Sequence, residues 1–294
     1  MPREEKLRFG SFTINGRNSF GAFAEDGIID LGAEYRDLEL GAALRAGLLS
    51  EFRAVVAGRK PEIPLNQIRY RPVIPDSQKV FGIGLNYGDH RAETGRADEV
   101  EKYPTLFVRF PETHVGHDES LLLPAVSHEF DYEGELAVVI GTEAWRVARD
   151  RAMAHVAGYC CYNDGSVRDF QRHTTQFVAG KNFPRTGALG PWLVTADEIT
   201  DPHDLALTTR LNGEIVQSAS TAEMIFDIPA LISYLSTWTV LQPGDVIATG
   251  TPAGVGSRRN PPRFLRKDDV VEVEIEGVGL LRNRIVAEPQ ELAS

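Results

Sequence analysis

The chain has 294 residues, 42% of them hydrophobic and 25% charged, which is typical of a globular protein and excludes a disordered or fibrous one. The net charge is −11 and there is no long basic run, so we expect neither a nucleic-acid partner nor attachment to a membrane surface. An anionic substrate would therefore have to meet a local positive charge or a metal ion.

The predicted location is the cytoplasm. The N-terminal residues lack the apolar stretch of a secretory signal, and no window is apolar enough for a transmembrane helix. The two cysteines, Cys160 and Cys161, are sequence neighbours, and neighbours rarely have the geometry of a disulfide. These features favour a reducing compartment.

Residues 1–72 are predicted to form a small N-terminal β-rich domain. Short alternating segments are separated by Asn15-Gly16, a strong hairpin signal, and by a second turn at 25–27. Apolar residues at helical spacing then predict one helix within 42–56. Prolines in 58–64 indicate a linker, after which residues 73–294 form the larger domain.

The larger domain is predicted to consist mostly of short strands. One clear helix is expected at 227–239, where Asp227 can cap the N-terminus and Pro229 lies in the first turn. Strands outnumber helices without regular alternation, so the predicted fold class is mixed α/β, predominantly β, rather than a doubly wound sheet. The predicted strands are 79–84, 106–110, 133–140, 156–162, 205–211, 246–249 and 270–275.

Three acidic residues form a candidate metal site. Glu133 and Glu135 begin a run that is apolar enough for a strand buried on both faces, and side chains at i and i+2 of a strand point the same way. Asp164 follows the next strand, before a short helix that Ser166 and Asp169 would open as a capping box. Buried carboxylates repel one another, and Mg²⁺ or Mn²⁺, with Ca²⁺ as a third option, would neutralise them. The alternative is that the two glutamates lie at an exposed strand end.

Two further segments supply candidate partners for these acids. His90 and Glu93 are three residues apart, so a helical turn would place them on one face, where a carboxylate-held histidine can act as a general base. Lys181 is a candidate for binding a substrate carboxylate or a developing enolate. The Gly-Ile-Gly segment at 82–84 lacks the spacing of a dinucleotide fingerprint, and the glycine-rich loop 250–256 lacks the ending of a phosphate-binding loop.

Seven segments together carry a family resemblance. They are GIGLNYGDHRAE (82–93), FDYEGELAVVIG (130–141), GYCCYNDGSVRDFQ (158–171), GKNF (180–183), GPWLVT (190–195), LNGEIVQ (211–217) and LQPGDVIATGTPAGVG (241–256). In this order and spacing they resemble the fumarylacetoacetate hydrolase superfamily over roughly residues 75–287. The resemblance implies a β-roll of mixed sheets with a small N-terminal β-rich domain, a bound Mg²⁺, Mn²⁺ or Ca²⁺, and a homodimer.

The resemblance also implies roles for single residues. The metal carboxylates would be Glu133, Glu135 and Asp164, and the dyad that activates water would be His90 and Glu93. Lys181 would face the substrate, with Gln171 and Thr251 as polar substrate contacts. Arg109 stands where relatives often have a lysine, and Arg185 lies shortly after Lys181-Asn182-Phe183, where many relatives carry an aspartate. Either arginine is a candidate for binding a second substrate carboxylate, the alternative being a surface position.

The implied activity is metal-dependent hydrolysis of a carbon–carbon bond in a 2,4-dioxo acid such as an acylpyruvate, by water that His90 activates. Without water attack, the same residues would isomerise an acid of the 2-hydroxyhepta-2,4-diene-1,7-dioate type or decarboxylate an acid of the oxaloacetate type. These two activities are the alternatives. A non-catalytic protein that binds a metal or a carboxylic acid is a further alternative, which the presence of His90 and Glu93 disfavours because a binder needs no base.

Overall fold

The structure, a computed structural model, describes residues 6–36, 38–96 and 102–289. The strands in the first half of these ranges are β1 (Arg8–Ile14), β2 (Arg17–Phe23), β3 (Ile28–Asp30), β4 (Arg69–Tyr70), β5 (Val80–Gly84), β6 (Thr105–Arg109), β7 (His114–Val115), β8 (Leu121–Leu123), β9 (Phe130–Asp131) and β10 (Gly134–Ile140). The later strands are β11 (Val156–Asn163), β12 (Ser166–Val167), β13 (Gly187–Thr195), β14 (Ala206–Leu211), β15 (Glu214–Ser220), β16 (Val246–Ala248), β17 (Val270–Ile275) and β18 (Gly279–Ala287).

Helices are fewer than strands in the described ranges, which confirms the predicted mixed, mostly β fold class. None of the helices in the described ranges is long and apolar enough to cross a membrane. They are α1 (Leu40–Arg45), α2 (Leu49–Val56), α3 (Gly88–Glu93), α4 (Arg168–Gln171), α5 (Val178–Lys181) and α6 (Ile228–Trp238).

Two mixed sheets carry the architecture. The larger has eleven strands in the order β3-β2-β1-β13-β11-β10-β16-β5-β6, with β4 beside β1 and β7 beside β13. The smaller has five strands in the order β15-β14-β17-β18-β8, and β9 pairs with β12 as a separate ribbon. Each of the seven predicted strands has a counterpart among these elements, with ends that differ by no more than a residue or two.

Strand β10 lies at the centre of the larger sheet and is buried along its whole length, as predicted. Leu136 and Val138 belong to a core shared with the smaller sheet and α6, whereas Ala137 and Val139 belong to a second core shared with the N-terminal segment. Alternate side chains of one strand thus enter two hydrophobic cores. This double burial fixes the backbone that carries the candidate acidic site.

The N-terminal segment extends the larger sheet through the pairing of β1 with β13. The predicted hairpin at Asn15-Gly16 is present, and both residues have the positive φ values, 49° and 77°, that such a tight turn requires. The single helix predicted within 42–56 is wrong: the chain forms α1 and α2, which are separated at Gly47, where φ is +74°. The domain boundary near residue 72 stays a prediction.

Helix α6 confirms the predicted helix at 227–239. The Asp227 carboxylate accepts a hydrogen bond from the Ala230 N–H, and apolar side chains such as Leu231 and Leu235 are fully buried. Trp238, the last residue of α6, is 51% exposed and contacts the ring of Phe81 edge-on.

We expect Phe52→Ala to lower the free energy of unfolding by about 3–5 kcal/mol, because it leaves a cavity in the N-terminal core. Phe52 is 0% exposed, and its ring centroid lies 5.9, 5.4 and 5.0 Å from those of Phe9, Phe20 and Tyr35. Urea unfolding followed by circular dichroism measures the change. Val126→Ala, at a side chain that is 66% exposed, is the control and should stay within about 0.5 kcal/mol. A Phe52→Ala loss below 1 kcal/mol would contradict this account.

Candidate metal centre and its cavity

The acidic triad is assembled by the pairing of β10 with β11. Their antiparallel register sets Gly134 opposite Asn163, so that the residue before β10 and the residue after β11 are neighbours. The Asp164 N–H donates to the Glu133 carbonyl at 2.8 Å. One carboxylate oxygen from each of Glu133, Glu135 and Asp164 lies within 4.8 Å of the others, and all three residues are buried. The predicted convergence is present, and the alternative of an exposed strand end is wrong.

Two of the three carboxylates are paired with buried cations. Lys181 Nζ donates to Glu133 Oε2 and to Asp164 Oδ2, each at 2.6 Å. Arg168 pairs with Glu133 Oε1 at 2.6 Å, and Arg109 donates to Asp164 Oδ1 at 2.6 Å. Burial alone would raise the pKa of Glu133, but Arg168 and Lys181 outweigh it and hold that pKa well below its usual range.

Glu135 is the acid that lacks such compensation. In the described part of the chain it forms no ion pair, and its carboxylate accepts a hydrogen bond from the Gly250 N–H at 2.8 Å. Burial, followed by the charges of Asp164 and Glu133, raises the pKa of Glu135 well above its usual value. Three buried carboxylates with one uncompensated charge form an all-oxygen donor set that suits a divalent cation.

The predicted histidine–glutamate pair is present on α3. His90 Nδ1 lies 2.7 Å from Glu93 Oε1, and the Gly254 N–H donates to Glu93 Oε2 at 3.0 Å. The carboxylate is therefore held from both sides, and it orients the imidazole. Because Nδ1 is hydrogen-bonded to Glu93, Nε2 is the ring nitrogen that is available to a substrate or a water molecule.

The glycine-rich loop 250–256 binds carboxylates of the protein itself. Its N–H groups at Gly250 and Gly254 donate to Glu135 and Glu93, and both glycines have positive φ values, 104° and 105°. The N–H groups of Gly256 and Ser257 donate to Asp131 at 2.8 and 2.9 Å. Asp131 is 0% exposed and also accepts from Arg168 Nε at 2.8 Å. The loop thus connects the acidic site, the histidine pair and Arg168.

A cavity of about 320 Å³ opens onto these groups. Its apolar wall includes Ile83, Leu85, Phe107, Phe177 and Val255. Six of the predicted site residues line it, namely His90, Glu133, Glu135, Gln171, Lys181 and Thr251. The structure thereby brings together most of the candidate catalytic, metal and substrate residues, while their individual roles stay predictions.

Arg109 and Arg185 are absent from the cavity lining among the described residues. The Arg109 side chain is fully buried, with hydrogen bonds to Asp164, the Gly165 carbonyl and Thr186, so its contacts hold Asp164 in place. Arg185 donates to the Ser120 carbonyl at 3.0 Å. Neither position offers a charge to a molecule in the cavity.

Arg168 is the functional candidate that the sequence analysis left without a role. It lines the cavity and binds both Asp131 and Glu133. The signal was present in the Asn-Asp-Gly-Ser-Val-Arg motif, but that segment was assigned to a capping box. That prediction is wrong: Ser166 donates to the Asp164 carbonyl at 2.9 Å and pairs in β12, and the Asp169 carboxylate accepts from Ser127.

Comparisons with known proteins identify the family to which the chain belongs. Residues 79–286 match the family model for the fumarylacetoacetate (FAA) hydrolase C-terminal domain. The rat (Rattus norvegicus) protein named oxaloacetate tautomerase Fahd2a, mitochondrial, is 43% identical over 239 residues, 81% of this chain and 76% of the rat protein. The chain belongs to the fumarylacetoacetate hydrolase family, whose members are enzymes.

Solved structures share the fold over nearly the whole chain. Fumarylacetoacetate hydrolase from psychrophilic Exiguobacterium antarcticum has a TM-score of 0.79 at 34% identity, covering 96% of this chain and 100% of that one. Maleylpyruvate hydrolase from Sphingobium sp. SYK-6, in complex with manganese(II) and pyruvate, has a TM-score of 0.80 at 29% identity, with the same coverage.

We expect Asp131→Asn to lower the free energy of unfolding by about 3–5 kcal/mol, because it leaves Arg168 without one of its two buried charge partners. Differential scanning calorimetry and urea unfolding measure the loss. Asp268→Asn is the matched control, since Asp268 pairs with Arg284 at the surface, and it should change stability by no more than about 1 kcal/mol. Equal effects of the two variants would show that the buried pair is not structurally important.

We expect binding of Mn²⁺ to release a proton from Glu135, because a bound cation favours the ionised carboxylate. In the absence of the cation, the raised pKa of Glu135 makes a contribution to the stability of the fold that depends on pH. This contribution is fully present below the unfolded-state pKa and is lost as the pH rises through the raised folded-state pKa. The affinity for Mn²⁺ should therefore fall as the pH falls through the raised pKa. Calorimetry in buffers of different ionisation enthalpy measures the proton release.

Glu135→Gln is the matched variant for the metal experiment. It should weaken Mn²⁺ binding at least tenfold and abolish the proton release, since the amide neither ionises nor attracts the cation. Parental affinity in this variant would remove Glu135 from the metal site.

Proposed function

We propose that the protein catalyses keto–enol tautomerisation of a short oxo acid of the oxaloacetate type, assisted by a divalent cation. The observation that carries this proposal is the carboxylate-held imidazole of His90, which lines the same cavity as Glu133 and Glu135. A base beside a cation site is what removal of a proton next to a carbonyl requires. Similarity to a rat protein named as an oxaloacetate tautomerase supports this activity.

This choice changes the order of the activities expected from the sequence. Carbon–carbon bond hydrolysis was the first expectation, with isomerisation or oxaloacetate decarboxylation as alternatives. The relative named as a tautomerase is 43% identical, whereas the maleylpyruvate hydrolase is 29% identical, so similarity favours the isomerase alternative. Hydrolysis of an acylpyruvate-like acid is the second candidate, because that hydrolase shares the fold and holds pyruvate, and because His90 is equally suited to activate water.

His90 would move the proton in the proposed reaction. Its Nδ1 hydrogen bond to Glu93 leaves the Nε2 lone pair as the base. Nε2 takes a proton from the carbon beside the oxo group, the C–H electron pair forms the carbon–carbon double bond, and the oxo oxygen receives the negative charge. The proton then passes from Nε2 to that oxygen, which completes the enol, and the steps reverse to regenerate the keto form.

Lys181 and two polar residues would position the substrate. Two of the three N–H bonds of Lys181 donate to the acidic triad, which leaves the third for a substrate oxygen. Thr251 is held by hydrogen bonds to the Gly134 carbonyl and from Gln217, and Gln171 accepts from Arg168 at 3.0 Å. Mg²⁺ or Mn²⁺, bound by the triad, would supply Lewis-acid stabilisation of the charge on the oxo oxygen.

We also propose that the active protein is a homodimer, as the family resemblance implies. Multi-angle light scattering at micromolar concentration measures the mass, and a monomeric mass at full activity would contradict the proposal.

The enzymatic proposal is tested by following the ultraviolet absorbance of enol-oxaloacetate with Mg²⁺ or Mn²⁺ present. His90→Ala should lower kcat by about 10²–10⁴-fold, because the base that transfers the proton is lost. His155→Ala is the control: His155 bonds to Thr142 and lies outside the cavity lining, so kcat should not change. Parental kcat in His90→Ala would overturn the mechanism.

Product analysis distinguishes the second candidate, hydrolysis of an acylpyruvate-like acid, from tautomerisation. With acetylpyruvate as substrate, hydrolysis yields pyruvate and acetate, which chromatography resolves. A higher kcat/KM for this cleavage than for oxaloacetate tautomerisation would favour the hydrolase over the tautomerase.

A further inference from the structure

The mouth of the cavity carries an exposed arginine that the proposed mechanism does not use. Arg258 lines the same cavity as His90, Glu133 and Lys181. Those three residues are 6%, 4% and 1% exposed, whereas Arg258 is exposed to solvent. This difference in burial places His90, Glu133 and Lys181 on the cavity floor and the Arg258 guanidinium at its rim.

The other arginines of the cavity are already engaged. Arg168 and Arg172 form ion pairs with carboxylates, and Arg96 also has a partner. Among the described residues that line the cavity, Arg258 is the arginine whose side chain forms neither an ion pair nor a hydrogen bond. Its full charge is therefore available to a molecule that enters the cavity.

The backbone beneath Arg258 is held firmly. The residue ends a short 3₁₀ turn (Gly256–Arg258), and its N–H donates to the Val255 carbonyl at 3.1 Å. The N–H groups of Gly256 and Ser257, at the start of this turn, donate to the buried carboxylate of Asp131. Because the backbone is already fixed, binding an anion at the rim has to order the Arg258 side chain alone, which lowers the ordering cost.

We infer that Arg258 binds a second, distal carboxylate of the substrate, so that the enzyme prefers dicarboxylic oxo acids. This inference rests on the proposed function, in which the oxo-acid end of the substrate occupies the floor. A guanidinium matches a carboxylate through two parallel hydrogen bonds and keeps its charge at all physiological pH values. The chain supplies this cation from the loop after the glycine-rich segment, rather than from Arg109 or Arg185.

The inference is tested with two substrates that differ only in the distal charge, enol-oxaloacetate and its 4-methyl ester, with Mg²⁺ present. In the parent enzyme kcat/KM should be higher for the diacid. Arg258→Gln should reduce the acid-to-ester ratio of kcat/KM about tenfold, mainly through KM, which corresponds to about 1.4 kcal/mol. Arg258→Lys should retain part of the preference, because it keeps the charge but not the paired hydrogen bonds.

Arg266→Gln is the matched control, since Arg266 is exposed but lies outside the cavity lining, and it should keep the parental ratio. If Arg258→Gln also keeps that ratio while the parent enzyme converts both substrates, the inference is overturned and the proposed function stands.

If the parent enzyme converts neither substrate, the proposed function is overturned, and calorimetric binding of 2-oxoglutarate and its 5-methyl ester still tests Arg258. A preference for the diacid that Arg258→Gln abolishes would support the inference, and one that it retains would overturn it.

Discussion

The structure depends on the balance of charge inside one buried cluster. Four carboxylates, Glu133, Glu135, Asp164 and Asp131, face three cations, Arg109, Arg168 and Lys181, and each of these residues is no more than 5% exposed. With every group ionised, four negative charges against three positive ones leave one negative charge in a medium where unpaired charge is costly. Glu135 is the residue whose ionised form is destabilised, as its raised pKa indicates. A bound divalent cation would therefore stabilise the ionised form of Glu135 more than that of the other three acids.

The parts of the fold that could be predicted from the sequence are those in which a local pattern and the tertiary environment agree. Strand β10 has an apolar run because it is buried on both faces, and α6 shows helical spacing with a capping residue at its start. The convergence of the three acids was also predictable, since it follows from one strand pairing and from the two residues that flank it.

Other features arise only from tertiary contacts. Strand β13 has nine residues but contains Gly190-Pro191, a pair that is typical of turns. The sequence pattern therefore does not predict this strand. Gly47, where φ is +74°, divides a continuous helical pattern into α1 and α2. The ion pair between Arg109 and Asp164 joins residues 55 positions apart, and no local spacing predicts such a contact. Arg109 was therefore expected to bind the substrate, whereas its contacts are with the protein.

The glycine-rich loop shows why the composition of a loop is a weak guide to its ligand. Its sequence lacks the ending of a phosphate-binding loop but does not indicate what its N–H groups bind instead. In the structure its N–H groups bind side-chain carboxylates from three different segments, those of Glu93, Asp131 and Glu135. The loop uses the same geometry that serves anions elsewhere, since backbone N–H groups with positive φ values nearby form a concave surface of donors.

The contrast in how tightly the floor and the rim of the cavity are bonded has a consequence for the evolution of this scaffold. The three cations of the buried cluster each bond to two or more groups, so a substitution among them or their partners disturbs the whole cluster and is costly to tolerate. The side chain of Arg258 is anchored only through its backbone, so replacing it leaves the cluster intact. The entrance can therefore diverge among descendants of this chain while the charge balance beneath it is preserved.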